Sequence, residues 1–430
     1  MRRIIFATLT LLAPFAPAGA QATLAQRVAL IRDGVVRMQF DSRPGVCGDG
    51  RNVMGYRKAL FARDFVNIGG WTDRRCVPGP VRVTLTVSGG QVTHMETQVG
   101  GAWPSVSGRV ADLGIVSSRE ASTYVFSLVP RLESASTKGR MLLPAVLADE
   151  AVVIAPLLAL ARDADRSEQT RREAVQWLGL LGDSSVVQAL VSLATGPSDD
   201  DTSGKQGKKG VASAAVAALS VLEGNAGIPA LIQLARSAPL GTRRGAVFWL
   251  GQNGDPRGLR TLHAVIEDAK EDDRVRKHAI FSLGNSDEVP ASEQDYLRSV
   301  YSRLDADPLK QSVLQAMSGD HSAGGRWLIE RARDARESLE LRRSALFWAG
   351  QREATPTADL VALYKDLTES NLREHAIFVL AQRSDDAALD ALLHIARDDA
   401  DTRLRSKALF WLAQNHDPRA TKLISDLVLK

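Results

Sequence analysis

The chain of 430 residues carries 54 Lys and Arg against 50 Asp and Glu, which leaves a formal net charge of +4. A balance this close to neutral does not indicate nucleic acid or an anionic membrane as the partner. The length predicts more than one domain.

The N-terminus has the pattern of a targeting segment. Residues 1–20 combine a basic start, an apolar run too short to span a membrane and a small-residue cleavage site. Cleavage is predicted after Ala20 or Ala22, and removal of Arg2 and Arg3 lowers the charge from +4 to +2. No other apolar run approaches the length of a membrane span. We therefore expect a periplasmic or secreted chain without membrane insertion.

Residues 21–135 predict a small mixed α/β domain. Alternation of apolar and polar residues indicates a strand at 35–40 and a hairpin at 81–99 around a Gly-Gly turn. Helices are predicted from about residue 24 and from residue 117.

Two cysteines, Cys47 and Cys76, are the only ones in the chain. In an exported chain such a pair predicts a disulfide, and closing a loop of about 30 residues stabilises the domain by roughly 3 to 4 kcal/mol. The loop is rich in glycine and carries Trp71. A stapled irregular connection is the favoured interpretation, and a binding loop that uses Trp71 is the alternative.

From about residue 140 the chain repeats itself. Copies of one apolar pattern, clearest as SALFWAGQ at 344–351, recur with a period near 32 residues, interrupted by a polar insertion at 196–210. Such a period predicts stacked structural repeats. The small residues that head the copies are Ala174, Ala215, Ala246, Ala279, Ser312, Ala345, Ala376 and Ala408.

Each repeat reads as two helices. At 243–252 the apolar residues recur at helical spacing, and an Asn-Gly-Asp-Pro turn follows. Asp255 is predicted to cap the second helix, and Pro256 suits the first helical position because its missing N–H costs nothing there.

The stretch DDRVRKHAIFSLG at 272–284 resembles the short HEAT repeats also found in phycobilisome lyases. The resemblance implies a mainly α fold, an α-α superhelix over 136–430 with about nine units, preceded by the small disulfide-containing α/β domain. It also implies that the partner is another protein, because HEAT solenoids mostly serve as binding surfaces. The arginine of this motif is then a structural ladder, comprising Arg171, Arg243, Arg276, Arg342, Arg373 and Arg405.

Large apolar residues recur on the first helices two positions after the heading residue, about 200° round the helix from it. Exposed, they would form an apolar ridge for a partner. The favoured interpretation is that they complete the core between neighbouring repeats, and the docking ridge is the alternative. This aromatic column comprises Phe248, Phe281, Leu314, Phe347, Phe378 and Phe410.

Two further sets of polar residues recur. An amide column at the ends of the first helices is predicted to satisfy helix-end carbonyls; it comprises Gln252, Asn285, Gln351, Gln382 and Gln414. The second helices are expected to line the concave side and to contact the partner there. Their candidate contacts are Arg260, His263, Arg326, Arg331, His394 and Arg397.

Catalytic and metal signatures are missing from the sequence. The matched histidines, His263 with His394 and His278 with His375, lie three or four repeats apart and cannot share an ion. Neither a zinc HExxH motif nor a GxSxG nucleophile motif occurs. We predict a non-enzymatic adaptor without cofactor or metal. The alternatives are an envelope peptide- or glycan-binding module that uses Trp71 and Trp103, and, third, an enzyme of lyase-like type.

Overall fold

The structure is a computed structural model that describes residues 22–51, 53–55, 76–134, 141–196, 210–284, 290–319, 322–415 and 417–428. The predicted targeting segment, Trp71 and most of the polar insertion lie outside these residues. The chain divides into two compact units, residues 1–173 and 174–430.

The first unit contains a four-stranded sheet beside a small three-stranded one. The four-stranded sheet has the order β6-β5-β1-β7, in which β1 pairs antiparallel with β5 and parallel with β7. The strands are β1 (Gly34–Phe40), β2 (Cys47–Gly48), β3 (Val53–Gly55), β4 (Val77–Pro78), β5 (Val81–Ser88), β6 (Gln91–Val99) and β7 (Val110–Ile115). The helices are α1 (Leu24–Ala29), α2 (Ser118–Ser134), α3 (Leu143–Leu147), α4 (Ile154–Arg162) and the start of α5 (Glu168–Leu181).

Alternation along the strands builds the core of this unit. Val36, Met38 and Phe40 of β1 and the alternate residues of β5 are buried, because successive side chains of a strand point to opposite faces. The predicted hairpin is confirmed, with β5 and β6 joined at Gly89 and Gly90, both at positive φ.

The predicted disulfide between Cys47 and Cys76 is present. It joins the start of β2 to the residue before β4, and these two strands also pair with each other. The first unit also includes α3 and α4, which lie within the range 136–430 predicted for the superhelix; that domain boundary stays a prediction.

The second unit is a stack of helix pairs, as predicted. The first helices are α5, α7 (Val211–Ser220), α9 (Leu240–Asn253), α11 (Asp273–Gly284), α13 (Asp307–Ala316), α15 (Leu339–Gly350), α17 (Ser370–Ala381) and α19 (Thr402–Ala413). From α7 onwards each packs against the next in chain order, and Gly179 of α5 lies against Ala218 of α7. The second helices are α6 (Val187–Ala194), α8 (Ile228–Ser237), α10 (Pro256–Glu267), α12 (Ser292–Tyr301), α14 (Ser322–Arg333), α16 (Thr357–Asp366), α18 (Asp386–Asp398) and α20 (Pro418–Val428).

The turn within the repeat follows the predicted chemistry. Gly254 adopts a left-handed conformation with φ of 70°, and the Asp255 side chain accepts a hydrogen bond from the Arg257 backbone N–H at 2.8 Å. Asp385 caps α18 in the same way, accepting from the Ala388 backbone N–H at 3.0 Å. An aspartate at this position satisfies a backbone donor that the helix itself leaves free.

Glycines near the ends of the first helices allow neighbouring repeats to approach closely. A Cβ atom on Gly284 would lie 2.3 Å from the Cβ of Ala316 in α13, and one on Gly350 would lie 2.1 Å from a methyl group of Val379 in α17. Both distances are far below van der Waals contact. The glycine of the repeat motif is therefore a packing requirement of the stack.

Three members of the arginine ladder contact the end of the second helix that precedes their own helix. The Nε atoms of Arg276 and Arg342, both buried, donate to backbone carbonyls ten residues upstream, on Ile266 and Ala332, at 3.0 Å each. Arg405 contacts the carbonyl of Asp399 at 2.7 Å. These side chains satisfy carbonyls that the end of a helix leaves without partners.

A second ladder lies one position beyond the amide column. Asn253 donates to the Ser220 carbonyl at 3.0 Å, and buried Arg352 donates to the Met317 carbonyl at 2.9 Å. Arg383 donates to the carbonyls of Arg352 and Thr355 at 2.8 and 3.1 Å. Each joins the end of one first helix to that of the preceding repeat.

The carbonyl contacts described above are made by residues one position beyond the predicted amide column. Gln351, Gln382 and Gln414 are at least partly exposed, and Asn285 lies outside the described residues. A one-residue step turns a helix by about 100°, which is enough to exchange a solvent-facing position for an inter-repeat one.

Candidate protein-interaction surface

The aromatic column is divided by burial. Leu314 is completely buried, as the sequence analysis favoured for all six members, whereas Phe281 is 40% exposed and Phe410 is 57% exposed. Phe248, Phe347 and Phe378 are half-buried. A Phe at this position thus rests against the stack without entering its core, and it adds apolar area to the surface.

Tryptophans one position later support the rings of the column. Edge-to-face contacts join Phe347 to Trp348 with centroids 5.1 Å apart and Phe410 to Trp411 at 5.2 Å. Phe378 reaches across to Trp411 of the next repeat at 5.5 Å. Trp348 and Trp411 are only half-buried, because each lies at the edge of the apolar stripe.

Between α15, α17 and α19 the column widens into a groove of about 320 Å³. Its apolar part is formed by Leu339, Phe378, Phe410 and Trp411, and Leu339 is 40% exposed. We call this the aromatic groove. Its polar lining residues are Arg343, Asn371, Glu374, His375 and Lys407.

Two histidines occupy matching positions on the first helices, with different surroundings. His278 Nε2 lies 3.2 Å from Arg244 Nη2. In the aromatic groove, His375 Nε2 is shielded from solvent and has no hydrogen-bond partner among the described residues. Burial lowers the pKa of both imidazoles, and the cations Arg244 and Arg343 lower it further. Both side chains are therefore neutral near pH 7.

The candidate residues of the second helices differ in their freedom to bind. Arg260, Arg326, His394 and Arg397 are at least partly exposed. Arg331 is held in place by Asp334 at 3.3 Å and by Glu337 at 3.7 Å, with its guanidinium 5.9 Å from the centre of the Trp327 ring. An arginine with these partners would have to exchange ion pairs to contact another protein.

His263 belongs to a cluster that the sequence did not predict. Its Nε2 lies within hydrogen-bonding distance of the largely buried carboxylate of Glu293, and its ring stacks on Tyr296 with centroids 3.7 Å apart. The Tyr296 hydroxyl donates to Glu267 at 3.4 Å, and burial raises its pKa. The cluster links α10 to α12. The only sequence signal was that His263 is one of the polar residues of a second helix.

In the first unit, Trp103 lies against two arginines. The guanidinium carbons of Arg37 and Arg82 are each 5.3 Å from its ring centre, a cation–π distance. Arg82 also donates to the Gly100 carbonyl at 3.1 Å. The half-buried ring is therefore held by its own domain. Trp71, the other aromatic residue of the alternative binding surface, lies outside the described residues.

Membrane-spanning and metal-binding features are absent from the described part of the chain. No helix there is long and apolar enough to cross a membrane. No three or more His, Cys, Asp or Glu side chains among the same residues are grouped so that they could hold a metal ion.

The second unit has the architecture of a helical-repeat protein, and comparison with known families makes the type specific. Residues 228–318 match the family model for HEAT repeats, and residues 170–195 match the PBS lyase HEAT-like repeat. The helix pairs are therefore HEAT-type repeats, as the motif at 272–284 predicted. No curated protein sequence matches the chain.

Solved structures resemble the chain at low identity. The CpcE–CpcF complex of phycocyanin lyase from Nostoc sp. PCC7120 is 18% identical, covering 56% of this chain and 92% of that one, with a TM-score of 0.29. Human deoxyhypusine hydroxylase is 19% identical over 58% and 91%, with a TM-score of 0.26. Importin beta is 12% identical over 69% and 52%, with a TM-score of 0.34. At these scores neither enzyme's activity is inferred for this chain.

Proposed function

We propose that this protein is an exported, non-enzymatic scaffold whose HEAT-type repeats hold another protein. The observation that carries the proposal is the run of partly exposed phenylalanines on the neighbouring first helices α15, α17 and α19, namely Phe347, Phe378 and Phe410. Exposed apolar surface of this kind is typical of interaction sites, because an isolated chain gains nothing from leaving it in water.

Two features support a location outside the cytoplasm. The Cys47–Cys76 disulfide is of a kind that persists in oxidising compartments. Residues 1–20 carry the pattern of a cleavable targeting segment. N-terminal sequencing of the protein recovered from the periplasm or the medium should begin at Gln21 or Thr23. Recovery of the uncleaved chain from the cytoplasm alone would overturn this part of the proposal.

The binding part can be tested by site-specific photo-cross-linking in the cell that makes the protein. The cross-linking amino acid is placed at Phe281 or Phe410 on first helices, at Arg326 or Arg397 on second helices, and at Trp103 in the first unit. We expect discrete protein adducts from helical-repeat positions and none from Trp103. Adducts from Trp103 alone would favour the N-terminal binding module, and no adduct from any position would overturn the scaffold.

A further inference from the structure

Two of the contacts between neighbouring first helices place a histidine beside an arginine. His278 of α11 lies against Arg244 of α9, and His375 of α17 lies beside Arg343 of α15. Each histidine comes directly before the heading residue of its repeat, and each arginine lies two positions before the heading residue of the preceding repeat. The two contacts are therefore the same structural position in different repeats.

The corresponding contact between α17 and α19 shows what this position does. Glu374 Oε1 lies 3.0 Å from Lys407 Nζ, so opposite charges join the two helices here. A pair of charges at this position thus acts directly across the contact between first helices. In the α9–α11 and α15–α17 contacts the protonation of the histidine decides whether a second positive charge is present.

The hydrogen bonds of His278 show where a second proton would go. Its Nδ1 lies 3.2 Å from the Arg274 carbonyl, an acceptor, and its Nε2 lies 3.2 Å from Arg244 Nη2, a donor. The neutral imidazole therefore carries its proton on Nδ1 and accepts the hydrogen bond from Arg244 at Nε2. Protonation of Nε2 removes this acceptor and places an imidazolium beside a guanidinium. The contact then loses a hydrogen bond and gains a repulsion between like charges.

His375 disfavours protonation mainly through burial. Its Nε2 is shielded from solvent and has no hydrogen-bond partner among the described residues. A proton on this atom would be a charged donor without an acceptor, which is costly in a protein interior. Burial and the Arg343 guanidinium lower the pKa of the imidazole, although the Arg343 carbonyl and the Glu340 carboxylate oppose them.

No acidic group compensates the charge of Arg244. In the part of the chain that the structure describes, no carboxylate lies within ion-pair distance of it, and it is the charged side chain that lowers the pKa of His278. The neighbouring cations are paired elsewhere, Arg243 of α9 with Glu271 at 3.3 Å and Lys310 of α13 with Glu337 at 3.8 Å. Further pairs on α10, α11 and α12 are Glu267–Arg303, Asp272–Arg274 and His263–Glu293.

The direction of the pH effect follows from the histidines. Burial, followed by the charge of the neighbouring arginine, lowers the pKa of both imidazoles below the ordinary 6.5. A group with a lowered pKa binds fewer protons in the folded state than in the unfolded state. The stability that it contributes above pH 6.5 is therefore lost as the pH falls from there towards the lowered pKa.

We propose that the α9–α11 and α15–α17 contacts are acid-sensitive joints of the stack, which loosen when His278 and His375 take up a proton, while the α17–α19 contact stays closed. The same first helices carry the aromatic column, so the joints set the spacing of its phenylalanines. This inference concerns the stack alone and does not depend on the scaffold function proposed above.

Hydrogen exchange of the mature full chain at pH 7.5 and pH 5.0 tests the joints. The rates are divided by those of an unfolded chain at the same pH, which removes the intrinsic pH dependence of exchange. We expect protection in α9, α11 and α15 to fall at pH 5.0 at least about fivefold more than protection in α19. Equal changes in all first helices, or no change, would overturn the inference.

Variants assign the effect at the first joint. His278→Gln should abolish most of the acid-dependent fall in α11. Arg244→Glu should reverse it, because the imidazolium then meets a carboxylate. If Arg244→Glu lacks the native circular dichroism spectrum, Arg244→Gln keeps a donor for Nε2 without the charge and should reduce the fall. A fall in α11 as large as that of the native chain, in His278→Gln or in the folded Arg244 variant, would contradict the proposal.

Two more variants complete the test. His375→Gln should abolish most of the fall in α15 and leave that in α11 unchanged; a fall in α15 that survives would remove the second joint. The control Glu374→Gln, Lys407→Gln removes the ion pair at the corresponding position without removing a histidine. It should lower protection in α19 and leave the acid-dependent fall in α11 as it is in the native chain. A smaller fall in α11 of this control would contradict the assignment to the histidines.

Discussion

Arg342 of α15 and Glu369, the residue before α17, form an ion pair between neighbouring repeats, with Nη1 2.5 Å from Oε1. The Arg342 side chain is only 7% exposed, and its Nε also donates to the Ala332 carbonyl of α14. One arginine thus ties α15 both to the end of α14 and to the residue that precedes α17.

Replacement of this arginine should destabilise the protein. Arg342→Ala would leave the Ala332 carbonyl and the Glu369 carboxylate without their donor, and we expect a loss of about 2 to 3 kcal/mol in the free energy of unfolding. Arg343→Ala is the matched control, because its ion pair with Glu340 is exposed and worth below about 0.5 kcal/mol. Urea denaturation followed by circular dichroism measures both. Equal losses would show that the ladder position is not special.

The same pair makes stability depend on pH. The hydrogen bond from Arg342 lowers the pKa of Glu369 to about 2 from its ordinary 4.5. A carboxyl with a lowered pKa in the folded state stabilises the fold above its unfolded pKa, and this contribution is lost as pH falls from about 4.5 towards 2. Glu369→Gln should therefore lose less stability than the native chain across that window. If the urea midpoints of the native chain and of Glu369→Gln fell by the same amount between pH 5 and pH 2.5, the pair would not be the source of the pH dependence.

The division of the aromatic column predicts unequal effects within one sequence position. Leu314→Ala empties a completely buried site and should cost about 2 to 5 kcal/mol. Phe410→Ala removes a side chain that is 57% exposed and should cost about 1 kcal/mol or less. Thermal melts of the two variants compare them directly. A larger loss from Phe410→Ala would mean that the column is core throughout.

The glycine contacts between first helices predict opposite signs for two Gly→Ala changes. At Gly284 the new methyl group meets Ala316 of α13, and we expect a loss of about 1 to 3 kcal/mol. At Gly241, also inside a helix, nothing lies within 4 Å of the position that the new methyl group would take, so helix propensity should stabilise the chain by up to about 1 kcal/mol. Chemical denaturation measures the free energy of unfolding of both variants. An unchanged value for Gly284→Ala would contradict the close approach of α11 to α13.

Removal of the disulfide should act locally. The variant Cys47→Ser, Cys76→Ser frees a loop with a sequence separation of 29 residues, and the expected cost is about 3 kcal/mol. Hydrogen exchange should rise in β2 and β4, while peptides from α9 to α19 serve as the internal reference. Unchanged protection in β2 and β4 would show that the pairing of these two strands does not depend on the bond.

The parts of the fold that the sequence predicted are those that depend on local interactions. The helix pairs, the Asp255 and Asp385 caps, the hairpin at Gly89 and Gly90 and the disulfide all depend on residues close in sequence or on a single possible pairing. The contacts of Arg352 and Arg383 were missed, because a one-residue step round a helix decides whether a side chain meets solvent or the next repeat. The cluster of His263, Glu293 and Tyr296 joins two repeats and leaves no local pattern.

The sequence by itself determined the repeat, because its apolar pattern recurs with a period near 32 residues. The apolar stripe on each helix can be buried only if neighbouring repeats stack. The tertiary structure alone decided which members of the aromatic column reach solvent. Leu314 and Phe410 hold the same place in the repeat, yet one is buried and the other is 57% exposed. Burial depends on the side chains that neighbouring helices bring to the contact, and the period does not specify these.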